Sequence, residues 1–139
     1  MISAFMTRSP DSMAVSYNKN IVTKYFDSLS RLDRQAVLTL LTDDVQRVEW
    51  ADGFPESGVP LTGKAAFSQN ITDPPGPGGL KIEVLRMTEE NNVVVAECTV
   101  HVPKKEGGFV TVRAWDVFEF EGGKVCRLDS VTVMVQNPA

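Results

Sequence analysis

The chain has 139 residues, of which 42% are hydrophobic and 23% charged, with a formal net charge of −4. That length suits one domain able to bury about two thirds of its unfolded surface without staples, and the acidic balance leaves no basic footprint for nucleic acid. Two cysteines without CxxC spacing, a lone histidine and no sustained apolar run leave no disulfide framework, zinc pattern, leader or membrane span, so a reducing, cytoplasmic setting is expected.

Residues 1–16 read as a loose arm, with Met13 an alternative start, and residues 17–139 as a single domain. From Asn18 to Leu32 the apolar residues Ile21, Val22, Tyr25, Phe26 and Leu29 recur at helical spacing. Asp33 can cap a second helix whose apolar face is Ala36, Val37, Leu40 and Leu41, closing near Thr42-Asp43-Asp44. Val45 to Trp50 is strand-like. A loop of Asp52-Gly53-Phe54-Pro55-Glu56-Ser57-Gly58 follows, and Thr62 or Gly63 starts a short helix through Ala65, Phe67 and Ile71. The proline- and glycine-rich run from Asp73 to Gly79 is a connector of the kind that rims a site.

From Leu80 onward the period becomes two. The runs Leu80–Met87, Val93–Val102, Phe109–Phe120 and Val125–Val135 are separated by short polar turns, which join antiparallel neighbours. Helices first and sheet afterwards is an α+β order. The expected fold is a curved antiparallel sheet, a meander of four long strands plus a short N-terminal strand, wrapped around three helices. A twisted sheet of that length curls into a cone with an internal pocket.

The third long strand places Val110, Val112, Ala114, Asp116, Phe118 and Phe120 on one face and Thr111, Arg113, Trp115, Val117 and Glu119 on the other. Asp116 is therefore aimed where the hydrophobes go. A carboxyl buried without a partner disfavours its charged form, so it is either satisfied by a neighbour or does chemistry. His101 shares a face with Val93, Val95, Glu97 and Thr99 and reads as a structural or surface residue. No GxSxG, phosphate-binding glycine loop or Cys–His pair is present, so neither cofactor nor metal is expected. Catalysis, if any, falls to proton transfer by acids and phenols. Both cysteines, Cys98 and Cys126, read as small core residues.

The element order resembles the nuclear transport factor 2-like superfamily, and within it the SnoaL-like and ketosteroid isomerase branch. The resemblance is carried by Lys24-Tyr25-Phe26-Asp27-Ser28-Leu29, by Leu40-Leu41-Thr42-Asp43-Asp44-Val45, and by Trp115-Asp116-Val117-Phe118-Glu119-Phe120-Glu121-Gly122-Gly123-Lys124-Val125. It implies that Asp116 takes the place of that branch's strand-borne acid, Tyr25 that of its first-helix oxyanion tyrosine, and Glu49 that of its general base. That isomerase is a known case of a carboxylic acid held neutral to donate a hydrogen bond. Glu49 shares a strand face with Val45 and Arg47, whereas Val48, Trp50 and Asp52 share the other. If the second face points inward, Asp52 is the better base.

The resemblance implies a small-molecule-binding protein that performs a cofactor-free enolisation or isomerisation of an apolar carbonyl compound. A non-catalytic ligand-binding or interaction module of the same fold is the alternative. Phe26, Trp50, Val112, Ala114 and Phe118 are expected to line the pocket. An epoxide hydrolase of this fold would need an Arg-x-Asp pair at Cys98 and Val100, which cannot activate water; Arg113 and Asp129 read instead as charged positions on a sheet face. Trp115 and Val117 on the outer face suggest a homodimer.

Overall fold

The computed structural model describes residues 16–135, so the expected arm at residues 1–16 lies, apart from Ser16, outside the described residues. Helix α1 runs Tyr17–Ser30, capped by Ser16, whose hydroxyl accepts from the Lys19 amide. Its apolar stripe buries Ile21, Val22, Tyr25 and Phe26. Helix α2, Arg34–Leu38, opens on the Asp33 cap, which accepts from the Ala36 amide at 3.1 Å. It stops earlier than the sequence pattern suggests. Leu41 begins strand β1, Leu41–Trp50, because it pairs with Val125 across the sheet while the Leu40 carbonyl accepts from the Val125 amide. Sheet pairing there overrides the helical spacing of Leu40 and Leu41.

A two-residue strand β2, Leu61–Thr62, was not expected. Gly63 follows with φ 98°, a conformation open to glycine at little cost, and starts helix α3, Lys64–Asn70. Strands β3 (Lys81–Glu90), β4 (Val93–Pro103), β5 (Phe109–Glu121) and β6 (Lys124–Met134) form the expected meander. Two-residue turns at Asn91-Asn92 and Gly122-Gly123 have positive φ at both positions, the hand that matches strand twist in a hairpin.

The sheet order is β2-β1-β6-β5-β4-β3. β1 lies parallel to β6, which corrects the expectation of a wholly antiparallel sheet with a short first strand. The hairpin rule orients strands joined by a tight turn, and β1 and β6 are joined by most of the chain. Register shifts in the β1–β6, β3–β4 and β5–β6 ladders mark bulges that bend the strands and help curl the sheet into a cone. The concave face packs Val45, Val94, Ala96, Cys98, Ala114, Phe118 and Leu128 against the helices. No helix among the described residues is long and apolar enough to cross a membrane.

Candidate functional site

Register alone brings three polar side chains into one row on the concave face. Glu49 of β1 is opposite Ser130 of β6, and Ser130 is opposite Asp116 of β5. One step along, Arg47, Leu128 and Phe118 form a second row. Glu49 and Arg47 therefore face inward, and Asp52 is exposed in the turn beyond β1. Of the two acids considered at this end of β1, Glu49 is the one on the inner face.

Tyr25 descends on these rows from α1. Its ring meets Phe118 edge-on at 5.2 Å, Phe26 at 5.4 Å and Phe67 of α3 at 6.3 Å. The Arg47 guanidinium lies 6.0 Å from the Phe67 ring centre and donates to the Val48 carbonyl at 3.2 Å. Each Glu49 oxygen has its own partner: Oε1 accepts from Asn70 Nδ2 at 2.9 Å, and Oε2 stands 3.8 Å from the Arg47 guanidinium.

A cavity of about 280 Å3 opens above them. Tyr25, Arg47, Glu49, Phe67 and Asn70 form its inner walls, and Thr72 with the connector residues Asp73, Pro74 and Pro75 forms its mouth. Two sets of bonds place that mouth. Arg34 donates to the Ile71 carbonyl from Nε and Nη2, at 3.1 and 2.8 Å, and the Gly76 amide donates to the Pro103 carbonyl. A side chain at Gly76 would collide with the Lys104 carbonyl oxygen, so this approach needs glycine.

Asp116 is 7% exposed and is not one of the residues walling this cavity. Burial raises its carboxyl above the usual range, with Ser130 and the Arg47 cation opposing and Glu49 adding to the rise. Its Oδ1 is buried without a hydrogen-bond partner among the described residues. Burial likewise pushes the Tyr25 hydroxyl well above its ordinary value, so it is a donor at any working pH. The site thus combines a carboxylate, a cation and a permanently protonated phenol on one small hollow. Among the described residues no group of three or more His, Cys, Asp and Glu is arranged to hold a metal ion.

The expected lining residues fall elsewhere. Trp50 is corrected to the convex face: it is 44% exposed and its indole donates to Asp129 at 3.0 Å. The alternation that turns Glu49 inward necessarily turns Trp50 out. Phe26, Ala114 and Phe118 pack in the core beneath the cavity, and Val112 is a half-buried member of the same strand face. Cys98 is a core residue, but Cys126 sits in a convex-face groove with Trp50, Arg127 and Asp129. His101 bridges Glu83 and Thr111 on the convex face. Sequence reasoning passed over Arg47 and Asn70; Arg47 carries a signal, two residues from Glu49 on one strand face, and Asn70 carries none.

The family model for the SnoaL-like domain matches residues 22–128. No curated protein matches the sequence. Among solved structures, the chain is similar to TerC crystallised with polyporic acid, with a TM-score of 0.71 and 18% identity over 85% of this chain and 92% of that one. It is similar to a ketosteroid isomerase candidate from Kribbella flavida DSM 17836, at TM-score 0.67 and 18% identity over 88% and 82%. An LEH-like epoxide hydrolase from M. tuberculosis shares the fold at TM-score 0.67 and 17% identity, over 84% and 83%. At such identities the likeness is one of fold.

Proposed function

The chain belongs to the SnoaL-like domain family, and on that premise we propose that it binds a small, largely apolar carbonyl compound in the inner cavity and moves a proton on it by cofactor-free acid–base chemistry. The observation that carries this reading is that Glu49 and Tyr25 wall the same hollow. Glu49 takes a proton from a carbon next to the carbonyl and returns it to a second carbon. The Tyr25 hydroxyl and the Arg47 guanidinium donate to the oxygen as it gains charge. Asp116 is assigned a further donor's role: burial raises its carboxyl above the usual range and one of its oxygens is buried without a partner among the described residues, so a ligand oxygen passing Tyr25 would engage it.

The test is the conversion of 3-cyclohexen-1-one to its conjugated isomer, followed by ultraviolet absorbance. Glu49→Gln keeps an acceptor for Asn70 and removes the base, so the rate should fall by about 10²–10⁴-fold. Equal rates for the two proteins on a series of β,γ-unsaturated ketones would reject catalysis. One observation favours the alternative, a binding module: both Glu49 oxygens already have partners. Under that reading Arg47 and Asn70 hold a ligand oxygen and no bond changes. We also propose a homodimer through the convex face, where Val131 and Val133 are exposed beside Trp115 and Val117; gel filtration at micromolar concentration showing a monomer would reject it.

A further inference from the structure

Arg47, Glu49 and Asn70 border a second hollow of about 180 Å3, whose other walls are Phe54, Glu56, Val59 and Leu61. Those three polar residues are all that its lining shares with the larger cavity. We infer that the two hollows are halves of one bilobed site for an uncharged two-armed ketone, with a ring body in the larger half, a short alkyl arm in the smaller, and the carbonyl at the Arg47–Glu49–Asn70 junction. This rests on the function proposed above and adds the shape of the substrate.

Size is the first argument. Small-molecule sites span about 300–1,000 Å3; the larger cavity alone falls just short of that range, and the two hollows together lie within it. Chemistry is the second. The smaller hollow offers Phe54, Val59 and Leu61 to its occupant, and the carboxylate of Glu56 repels an anionic arm. Phe54 and Val59 are 40% and 52% exposed, apolar surface that an alkyl arm would cover. The junction is the third. Asn70 and Arg47 supply N–H donors on either side of Glu49, so a carbonyl oxygen can bind a donor while the adjoining carbon lies against the carboxylate.

The smaller hollow is also preformed. The Gly58 amide donates to the Glu49 carbonyl at 2.8 Å, and the Ala51 amide to the Ser57 hydroxyl at 3.0 Å, which tie the loop back onto β1. A Cβ at Gly58 would lie 2.9 Å from the Trp50 ring, so loop and strand pack as one piece.

Calorimetric titration with 2-acetylnaphthalene and 2-hexanoylnaphthalene tests the inference. The hexanoyl compound should bind the unmodified protein at least tenfold tighter, well inside the roughly 200-fold that four fully buried methylenes would contribute. Val59→Trp, at an exposed position, fills the smaller hollow and should abolish that advantage, bringing the affinities of the two compounds to within twofold of each other. A butanoyl and a decanoyl homologue in the unmodified protein give a readout independent of any variant: affinity should rise to hexanoyl and stop rising once the hollow is full. An advantage that is absent, that survives Val59→Trp, or that keeps growing to decanoyl would overturn the bilobed site while leaving the inner cavity's function standing. Failure of every ketone to bind up to its solubility limit would overturn both.

Discussion

Replacing Asp116 by asparagine should flatten the pH dependence of stability in a definite direction. The carboxyl is buried, one of its oxygens has no partner, and its pKa is raised from the ordinary 3.8 by burial, against the opposing influence of Ser130 and Arg47. Tyr25, Glu49, Arg47, Ser130 and Cys98 are the polar or titratable groups around it. Because the folded-state pKa lies above the unfolded one, the native protein holds this proton more tightly than the unfolded chain does. The resulting stability is fully present below the unfolded value and is lost as pH rises through the folded value. Within that window one proton separates the two states, which sets a slope of about 1.4 kcal/mol per pH unit. Asparagine mimics the protonated acid and does not titrate. The stability of Asp116→Asn relative to the parent should therefore increase from about pH 4 upward, by as much as that slope, and level off above the folded-state pKa. Urea unfolding followed by circular dichroism at half-unit steps from pH 4 to pH 8 measures it. The contribution from Glu83, whose carboxyl is held below its ordinary value by the His101 hydrogen bond, is common to both proteins and cancels in the difference. A difference that stays flat over this range, or narrows with rising pH, would show that Asp116 is ionised in the folded protein and would refute the reasoning.

Tyr25→Phe keeps the edge-on contacts with Phe26, Phe67 and Phe118 and removes one donor, so the melting temperature should hold to within a few degrees while isomerisation of 3-cyclohexen-1-one slows by about 10²-fold; an unchanged rate would remove Tyr25 from the chemistry. Phe118→Ala empties a fully buried site beneath Tyr25 and should cost about 3–5 kcal/mol by urea unfolding, and a loss below 1 kcal/mol would show that the floor is not packed as described. Cys98 is fully buried with its thiol pushed up to about 12, chiefly by burial and then by Asp116 and Glu97, whereas Cys126 is partly exposed. A disulfide reagent at pH 8 should therefore modify Cys126 in the native protein and reach Cys98 only on unfolding; modification of both at one rate would contradict this.

Much of the architecture is legible because it is written in local periods. The 3.6-residue spacing of Ile21, Val22, Tyr25, Phe26 and Leu29 makes α1 readable, and the alternation from Val110 to Phe120 by itself puts Asp116 on the apolar face of its strand. Turns of two residues orient β3 against β4 and β5 against β6, since consecutive strands so joined have one way to pair. What the sequence left open was every relation between distant segments. Whether β1 turned Glu49 or Trp50 inward depended on which of its faces met Leu128 and Ser130, some eighty positions away. The end of α2 at Leu38, the parallel pairing of β1 with β6, and the meeting of Asn70 with Glu49 were likewise decided by packing. Alternation along a strand says which residues share a face, and only the burial of one face against the helices says which face is inside.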